Sequence, residues 1–218
     1  MINIIPAVLA TTEEEYQQKI SKLKDSGLFE DKWVQIDLMD NKFVQNQSIG
    51  TEVISKYPNN FKLEAHLMVE YPEAWIDELI KIGIDRIIFP VEDGEGIIER
   101  IEHIKNHNIE AGLSVNPETD ISKLEPFIAM IDLILVMGVN PGFSGQEFID
   151  KTLEKIEEVS RLRSKSNLEF KIEVDGGVNL ENAKELVKSG VDSLVVGSHL
   201  FEGNLKENVQ EIKENIQS

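Results

Sequence analysis

The chain has 218 residues, of which 41% are hydrophobic and 28% charged, a balance typical of a globular protein that buries a full core. It contains no cysteine, which excludes thiol catalysis, disulfide bonds and cysteine–zinc sites. The chain has 40 acidic residues and 22 lysines and arginines, which gives a net charge of −18. Nucleic acid and anionic membranes are therefore poor partners, and a phosphorylated ligand needs local donors.

The first residues, Met-Ile-Asn-Ile-Ile-Pro, lack the basic stretch of a signal peptide. No apolar run approaches the roughly 20 residues that a membrane-spanning helix needs. The absence of cysteine is also compatible with a reducing compartment. We therefore expect a soluble, cytoplasmic protein.

In chain order, short apolar and β-branched runs alternate with amphipathic stretches. The short runs are typical of strands buried on both faces of a parallel sheet, and the stretches between them have helical spacing. The predicted strands cover residues 2–9, 33–39, 61–68, 86–90, 110–115, 133–137, 169–174 and 193–196. The clearest helices cover 13–26, 72–82 and 180–189, and each is followed by a glycine that suits a helix end, namely Gly27, Gly83 and Gly190.

This alternation fits two architectures, an open doubly wound sheet and a closed (β/α)₈ barrel. Eight predicted strands, in a chain near the lower length limit for such barrels, favour closure. Residues 6–10, after the first strand, lack the glycine-rich turn of a dinucleotide-binding sheet. No linker or low-complexity segment divides the chain. The prediction is one α/β domain, a TIM barrel over residues 1–218.

Polar side chains stand at the ends of several strands, where the chemistry of such barrels takes place. Gln35 and Asp37 are two apart on the second strand and so face the same way, while His66 lies near the end of the third. Asp175 ends the seventh strand, so we expect its carboxylate on the opposite side of the barrel mouth from that of Asp37. Two acids flanking one cavity are what a two-base epimerisation through an enediolate requires.

A divalent metal ion would stabilise the charge of an enediolate, and Asp37, His66 and Asp175 are candidates to bind it. The methionines at the strand ends would form polarizable walls of the site: Met39, Met68 and Met137. Each residue alone has an ordinary structural explanation. An aspartate is often a turn or helix cap, a histidine is often a satisfied core residue, and methionine often fills a core. Their combination on one face favours the site.

Glycines follow the sixth, seventh and eighth predicted strands. They allow backbone N–H groups to approach a phosphate, which barrels often hold at the loops after strands seven and eight. A tight turn explains any one of them, but three on adjacent strands favour phosphate. The candidate residues are Gly142, Phe143, Ser144, Gly145, Gly176, Gly177, Gly197 and Ser198.

The residues singled out above stand in five segments: Ile36-Asp37-Leu38-Met39-Asp40, His66-Leu67-Met68, Val139-Asn140-Pro141-Gly142-Phe143-Ser144-Gly145-Gln146, Val174-Asp175-Gly176-Gly177-Val178-Asn179 and Gly197-Ser198. In order and spacing, over nearly the whole chain, these segments resemble the ribulose-phosphate 3-epimerase family. The most specific part of this resemblance is the stretch from Asn140 to Gln146 together with Val174-Asp175-Gly176-Gly177.

The resemblance implies a TIM barrel of the ribulose-phosphate-binding type that interconverts ribulose 5-phosphate and xylulose 5-phosphate in the pentose phosphate pathway. It implies that Asp37 and Asp175 are the acid/base pair, and that Asp37, His66 and Asp175 ligate zinc, iron, manganese or cobalt. It implies that the glycine segments hold the substrate, largely by its phosphate. It further implies a homo-oligomer, a dimer or a hexamer.

The chain departs from the family pattern near the predicted site. Gln35 stands where the family has a metal-ligating histidine, and an amide oxygen is a weaker ligand than imidazole. Ala7 replaces a serine that would contact a substrate hydroxyl. Asn41 and Lys42 replace Gly-His, and Lys42 is expected to add a cation near the mouth. Pro90 stands where a histidine is usual.

These departures leave more than one function open. A pentulose phosphate is the first candidate substrate, and a hexulose phosphate such as allulose 6-phosphate is the alternative. Decarboxylases and synthases on the same barrel are disfavoured, because the second strand lacks their Asp-x-Lys-x-x-Asp pattern. A non-catalytic sugar-phosphate-binding paralogue is the third possibility, although both aspartates of the pair are present.

Overall fold

A computed structural model describes residues 2–217, and it contains eight parallel strands hydrogen-bonded in the order β1 to β8 with β8 closing onto β1. The predicted closed barrel is therefore confirmed. The strands are β1 (Asn3–Val8), β2 (Trp33–Met39), β3 (Lys62–Met68), β4 (Arg86–Pro90), β5 (Glu110–Val115), β6 (Leu133–Met137), β7 (Lys171–Asp175) and β8 (Ser193–Val196). Each lies within two residues of its predicted bounds.

Helices cover the outside of the barrel in the described residues. They are α1 (Glu13–Ser26), α2 (Thr51–Lys56), α3 (Pro72–Ile82), α4 (Ile97–Lys105), α5 (Lys151–Ser166), α6 (Ala183–Lys188), α7 (Ser198–Phe201) and α8 (Leu205–Gln217). Two further short 3-10 helices cover Val91–Asp93 and Ile121–Lys123. No helix within residues 2–217 is both long and apolar enough to cross a membrane.

The local sequence explains where the longer helices begin and end. The side chain of Thr12 accepts a hydrogen bond from the backbone N–H of Glu15 and so caps α1, which ends at Gly27 with φ 65°. Pro72 opens α3, where its missing N–H costs nothing, and Gly83 ends the helix with φ 78°. Both glycine stops were predicted.

Two helix predictions need correction. The stretch 180–189 is helical only over Ala183–Lys188. The side-chain amides of Asn179 and Asn182 both donate to the carbonyl oxygen of Gly177, and Oδ1 of Asn182 accepts from the backbone N–H of Asn179, so these bonds hold residues 180–182 in a turn. Between β5 and β6 the described chain forms only the 3-10 helix Ile121–Lys123 and turns, so the strict alternation fails there. Pro126 has no backbone N–H and interrupts helix formation in that connection.

The barrel interior is polar along much of its length. Arg86 is buried between Glu64 and Glu173, with Nη1–oxygen distances of 2.6 and 3.1 Å, and its guanidinium lies 3.8 Å from the centre of the Trp33 ring. Gln35 pairs in register with Glu64, and Asp37 pairs with His66 one layer nearer the carboxyl ends of the strands. The charged layer around Arg86 therefore lies directly beneath the residues of the predicted site.

Candidate active site

A cavity of about 400 Å³ opens at the carboxyl ends of the strands. Its described lining includes 13 of the 14 predicted site residues: Asp37, Met39, Met68, Met137, Gly142, Phe143, Ser144, Gly145, Asp175, Gly176, Gly177, Gly197 and Ser198. His66 does not line the cavity. It is 1% exposed and lies behind the two aspartates.

The two aspartates come from β2 and β7, which β1 and β8 separate around the barrel. Their carboxylates do not stand far apart. Nε2 of Gln35 donates hydrogen bonds to Oδ1 of Asp37 and Oδ2 of Asp175, both at 2.7 Å. β2 and β7 are separated in the barrel as expected, but the two carboxylates do not lie on opposite sides of the mouth, because a single amide nitrogen bridges them.

His66 completes the cluster. Its Nδ1 lies 3.4 Å from Oδ1 of Asp37 and 3.6 Å from Oδ2 of Asp175. Burial lowers the pKa of His66, but the two neighbouring carboxylates outweigh that effect and raise the pKa to about 9. Burial raises the pKa of Asp175, the charge of Asp37 adds to this rise, and the contact with His66 opposes it. His66 therefore retains its proton at neutral pH.

One nitrogen and two carboxylate groups can meet at a metal ion here. The candidate ligand atoms of Asp37, His66 and Asp175 all lie within 4.8 Å of one another, and the three residues are buried. This donor set suits a divalent ion of the first transition series. Gln35 does not add a ligand as it is oriented, because its Nε2 faces the carboxylates and carries no lone pair.

The three methionines line the cavity. Met39 and Met68 pair in register at the ends of β2 and β3 and pack with Val44. Met137 ends β6 beside Asp175 and belongs to a separate cluster of interior apolar residues. All three are at most 5% exposed. Thioether and aliphatic groups therefore line the cavity beside the carboxylates.

The glycine segments line the cavity on the side of β6, β7 and β8. Gly177 has φ 68°, and a Cβ there would lie 2.6 Å from the backbone nitrogen of Phe148, so the loop itself requires this glycine. Gly197 differs, because φ is −90° and a Cβ would meet only the Cβ of Ala7, at 3.9 Å. The missing side chain of Gly197 leaves space for a ligand.

The loop after β6 is tied to its neighbours. The side-chain amide of Asn46 donates to the carbonyl oxygen of Gly142 at 2.8 Å, and that of Gln146 donates to the carbonyl oxygens of Asn140 and Phe143. The Phe143 side chain is 57% exposed at the rim of the cavity. These hydrogen bonds hold the glycine turn in place beside the cavity.

Two residues that the sequence analysis did not assign to the site also line the cavity. Lys19 on α1 is its only lysine or arginine within the described part of the chain, and its Nζ donates to the carbonyl oxygen of Leu9 at 2.6 Å. His199 has a buried Nε2 without a hydrogen-bond partner. Lys42, the expected cation, lies outside the cavity lining with its Nζ 5.8 Å from the centre of the Tyr71 ring.

Sequence comparison identifies related proteins. Residues 3–201 match the ribulose-phosphate 3 epimerase family. The chain is 34% identical to ribulose-phosphate 3-epimerase of Bacillus subtilis (strain 168) over 217 residues, covering 98% of this chain and 99% of the relative. It is 39% identical to ribulose-phosphate 3-epimerase of Serratia marcescens over 171 residues, covering 77% and 81%.

Solved structures share the barrel at low sequence identity. A 3-hexulose-6-phosphate synthase superposes with a TM-score of 0.71 and 16% identity, covering 99% of this chain and all of that one. A tryptophan synthase α-subunit from Pyrococcus furiosus superposes with a TM-score of 0.68 and 15% identity, covering 99% and 98%. These likenesses concern the fold alone.

Proposed function

This chain belongs to the ribulose-phosphate 3-epimerase family, and from that premise we propose that it interconverts ribulose 5-phosphate and xylulose 5-phosphate by moving one proton at C3. As a member of this family it is an isomerase. The observation that carries the mechanism is the pair of buried aspartates, Asp37 and Asp175, which line one cavity from strands on opposite sides of the barrel. We propose that residues 1–218 form one domain.

The reaction needs one acid and one base on opposite faces of C3. One aspartate removes the C3 proton, and the electron pair of the broken C–H bond moves to the C2 carbonyl to form an enediolate. The other aspartate then delivers its proton to the opposite face of C3. Burial raises the pKa of the Asp175 carboxyl, which favours Asp175 as the acid of the pair.

Negative charge develops on the substrate oxygens in this step. Asp37, His66 and Asp175 would hold a divalent ion, which when bound supplies positive charge next to those oxygens. We propose zinc, iron, manganese or cobalt, because the donor set contains nitrogen and oxygen but no sulfur. Met39, Met68 and Met137 exclude water from the reacting carbon.

The phosphate group is the second recognition element. We propose that it lies against the glycine loops, where backbone N–H groups of segments 142–145, 176–177 and 197–198 can donate to its oxygens. Lys19 supplies the one full positive side-chain charge of a lysine or arginine among the described cavity residues. A chain of net charge −18 needs such local donors to hold a dianion.

One observation favours a longer ketose phosphate as a second candidate. A Cβ built on Gly197 would lie 3.9 Å from the Cβ of Ala7. Two small residues therefore face each other and widen the cavity beside β1 and β8. A hexulose phosphate such as allulose 6-phosphate would use this extra space. The two substrates differ by one carbon, so the same chemistry applies to both.

Deuterium incorporation distinguishes these possibilities. Purified protein is incubated in D₂O with ribulose 5-phosphate or with allulose 6-phosphate, with and without added Mn²⁺, and followed by NMR. We expect deuterium at C3 together with inversion for the true substrate. If neither ketose exchanges its C3 proton under any of these conditions, the epimerase proposal is wrong. If only the hexulose phosphate reacts, the second candidate replaces the first.

We also propose a cytoplasmic homo-oligomer. The family resemblance supports a dimer or a hexamer, and a chain without cysteine suits a reducing compartment. Light scattering coupled to gel filtration would give the number of subunits directly, and a monomer at micromolar concentration would contradict this part of the proposal.

A further inference from the structure

The side chain of Gln35 occupies the centre of the acidic cluster. It is fully buried, and its Nε2 donates to Oδ1 of Asp37 and Oδ2 of Asp175 at 2.7 Å each. Its Oε1 is buried too and has no hydrogen-bond partner among the described residues. Both N–H groups of the amide are thus used on two carboxylates, while the carbonyl oxygen remains unused.

The neighbouring charges determine this orientation. Turning the amide over would point the lone pairs of Oε1 at two carboxylate oxygens, and the electrostatic repulsion would be unfavourable in a buried site. Hydrogen bonds to ionised acceptors are stronger than those between neutral groups, so the amide links two carboxylates that otherwise repel each other. Gln35 therefore holds Asp37 and Asp175 together with uncharged donors.

A metal ion makes the opposite demand on the same residue. An ion held by Asp37, His66 and Asp175 needs lone pairs around it. Both N–H groups of Gln35 point at Oδ1 of Asp37 and Oδ2 of Asp175, the oxygens that lie 3.4 and 3.6 Å from Nδ1 of His66. The amide must turn so that Oε1 faces the ion, and both hydrogen bonds to the carboxylates are then broken. The two arrangements exclude each other.

We propose that Gln35 is a positioning residue with two states: it bridges Asp37 and Asp175 in the protein without a bound ion, and it turns over to admit a divalent cation. Two consequences follow. The protein keeps its acid pair assembled when no ion is bound, and the amide competes with the ion for the carboxylates. Removing the amide therefore strengthens metal binding, whereas removing an ordinary ligand weakens it.

Cobalt binding tests the second consequence. Co²⁺ is titrated into chelator-treated wild-type protein and into Gln35→Leu, with the visible absorption of Co²⁺ and calorimetry as readouts, and Gln18→Leu on the exposed face of α1 as the matched control. We expect Gln35→Leu to bind Co²⁺ about tenfold or more tightly than the wild type, since about 1.4 kcal/mol of lost competition has this effect. Weaker binding in Gln35→Leu would overturn the proposal, because the amide would then favour the bound ion more than its hydrogen bonds to the carboxylates oppose it.

Thermal unfolding tests the first consequence. We expect a chelator to lower the Tm of the wild type only slightly, and to lower the Tm of Gln35→Leu by about 5 °C or more, because its carboxylates have lost their bridge. Added Co²⁺ should restore the Tm of the variant. The proposal fails if chelator lowers the Tm of the wild type as much as that of Gln35→Leu.

A measurement on the wild type covers the case in which Gln35→Leu does not fold. In protein labelled with ¹⁵N at glutamine side chains, both amide protons of Gln35 should exchange slowly with solvent after chelation, and saturating Zn²⁺ should shift the signal. An unchanged signal at saturating Zn²⁺ would contradict the turn. This inference concerns the site of the proposed function, but its tests use no substrate, so it can fail while epimerisation stands and stand while epimerisation fails.

Discussion

At the scale of single residues, the acid/base assignment makes the sharpest claim. Asp175→Asn keeps the shape of the side chain but removes the group that takes up and releases a proton. We expect kcat to fall about 10²- to 10⁴-fold, the usual contribution of a general acid or base, while the inhibition constant of inorganic phosphate changes little. Steady-state kinetics with a phosphate competition series measures both. Turnover close to that of the wild type would remove Asp175 from the mechanism.

Lys19 carries a second prediction at this scale. Burial lowers the pKa of Lys19, and the charges of Glu15 and Asp37 oppose this effect. Lys19→Met retains the apolar stem but loses the ammonium group, so we expect KM for the ketose phosphate to rise about tenfold, equivalent to about 1.4 kcal/mol, with kcat little changed. Lys42→Met, which alters a lysine outside the cavity lining, is the matched control and should leave KM unchanged.

The sequence could predict that Asp37, His66 and Asp175 lie close together, because they stand at or near the carboxyl ends of strands and within motifs. It could not predict Lys19, which reads as one of several polar residues on an amphipathic helix. Whether such a residue reaches a cavity depends on how α1 is rotated against the barrel, which depends on the packing of Tyr16, Ile20 and Leu23 rather than on a local pattern. The bridging role of Gln35 was missed for a similar reason. A substitution in a motif shows that a ligand has changed, but not which end of the amide faces the carboxylates.

At the scale of secondary-structure elements, strands were predicted more accurately than the connections between them. Fully buried parallel strands leave continuous apolar runs, which place all eight within two residues. The helix at 180–189 was overestimated because asparagine side chains bonded to the backbone compete with the first helical turn. Between β5 and β6, amphipathic spacing suggested a helix that Pro126 disrupts. Connections are governed by such single side chains, and periodicity does not detect them.

The loops after β7 and β8 allow a matched pair of substitutions. Gly177→Ala places a Cβ 2.6 Å from the backbone nitrogen of Phe148 at a positive φ, so we expect a loss of about 2 kcal/mol or more in the free energy of unfolding. Gly197→Ala meets only Ala7 at 3.9 Å, so its cost in stability should be smaller, whereas its methyl group should weaken phosphate binding. Urea unfolding and the phosphate inhibition constant separate the two effects. Equal destabilisation by both variants would indicate that Gly197 serves the turn alone.

At the scale of the whole molecule, the distribution of charge conflicts with the proposed substrate. The chain carries −18, and the described lining of the cavity includes the acids Asp37, Glu147, Asp175 and Glu202 against one lysine. A sugar phosphate dianion therefore approaches against the long-range field and is held only by short-range donors at the glycine loops and Lys19. Long-range repulsion is screened by salt much more strongly than close contacts inside a cavity.

Ionic strength should therefore raise the efficiency of this enzyme rather than lower it. Between about 10 and 100 mM NaCl the screening length falls from about 30 to about 10 Å, and we expect kcat/KM to rise about two- to threefold as the repulsion is screened. Sodium chloride is preferred to sulfate or phosphate salts, whose anions compete for the glycine loops. Lys19→Met should show the same relative rise, because its loss removes a local contact and leaves the field of the remaining acids in place. A fall in kcat/KM with salt would mean that positive charge at the cavity mouth governs substrate capture. Attraction by local donors would then outweigh the long-range repulsion by the acidic residues.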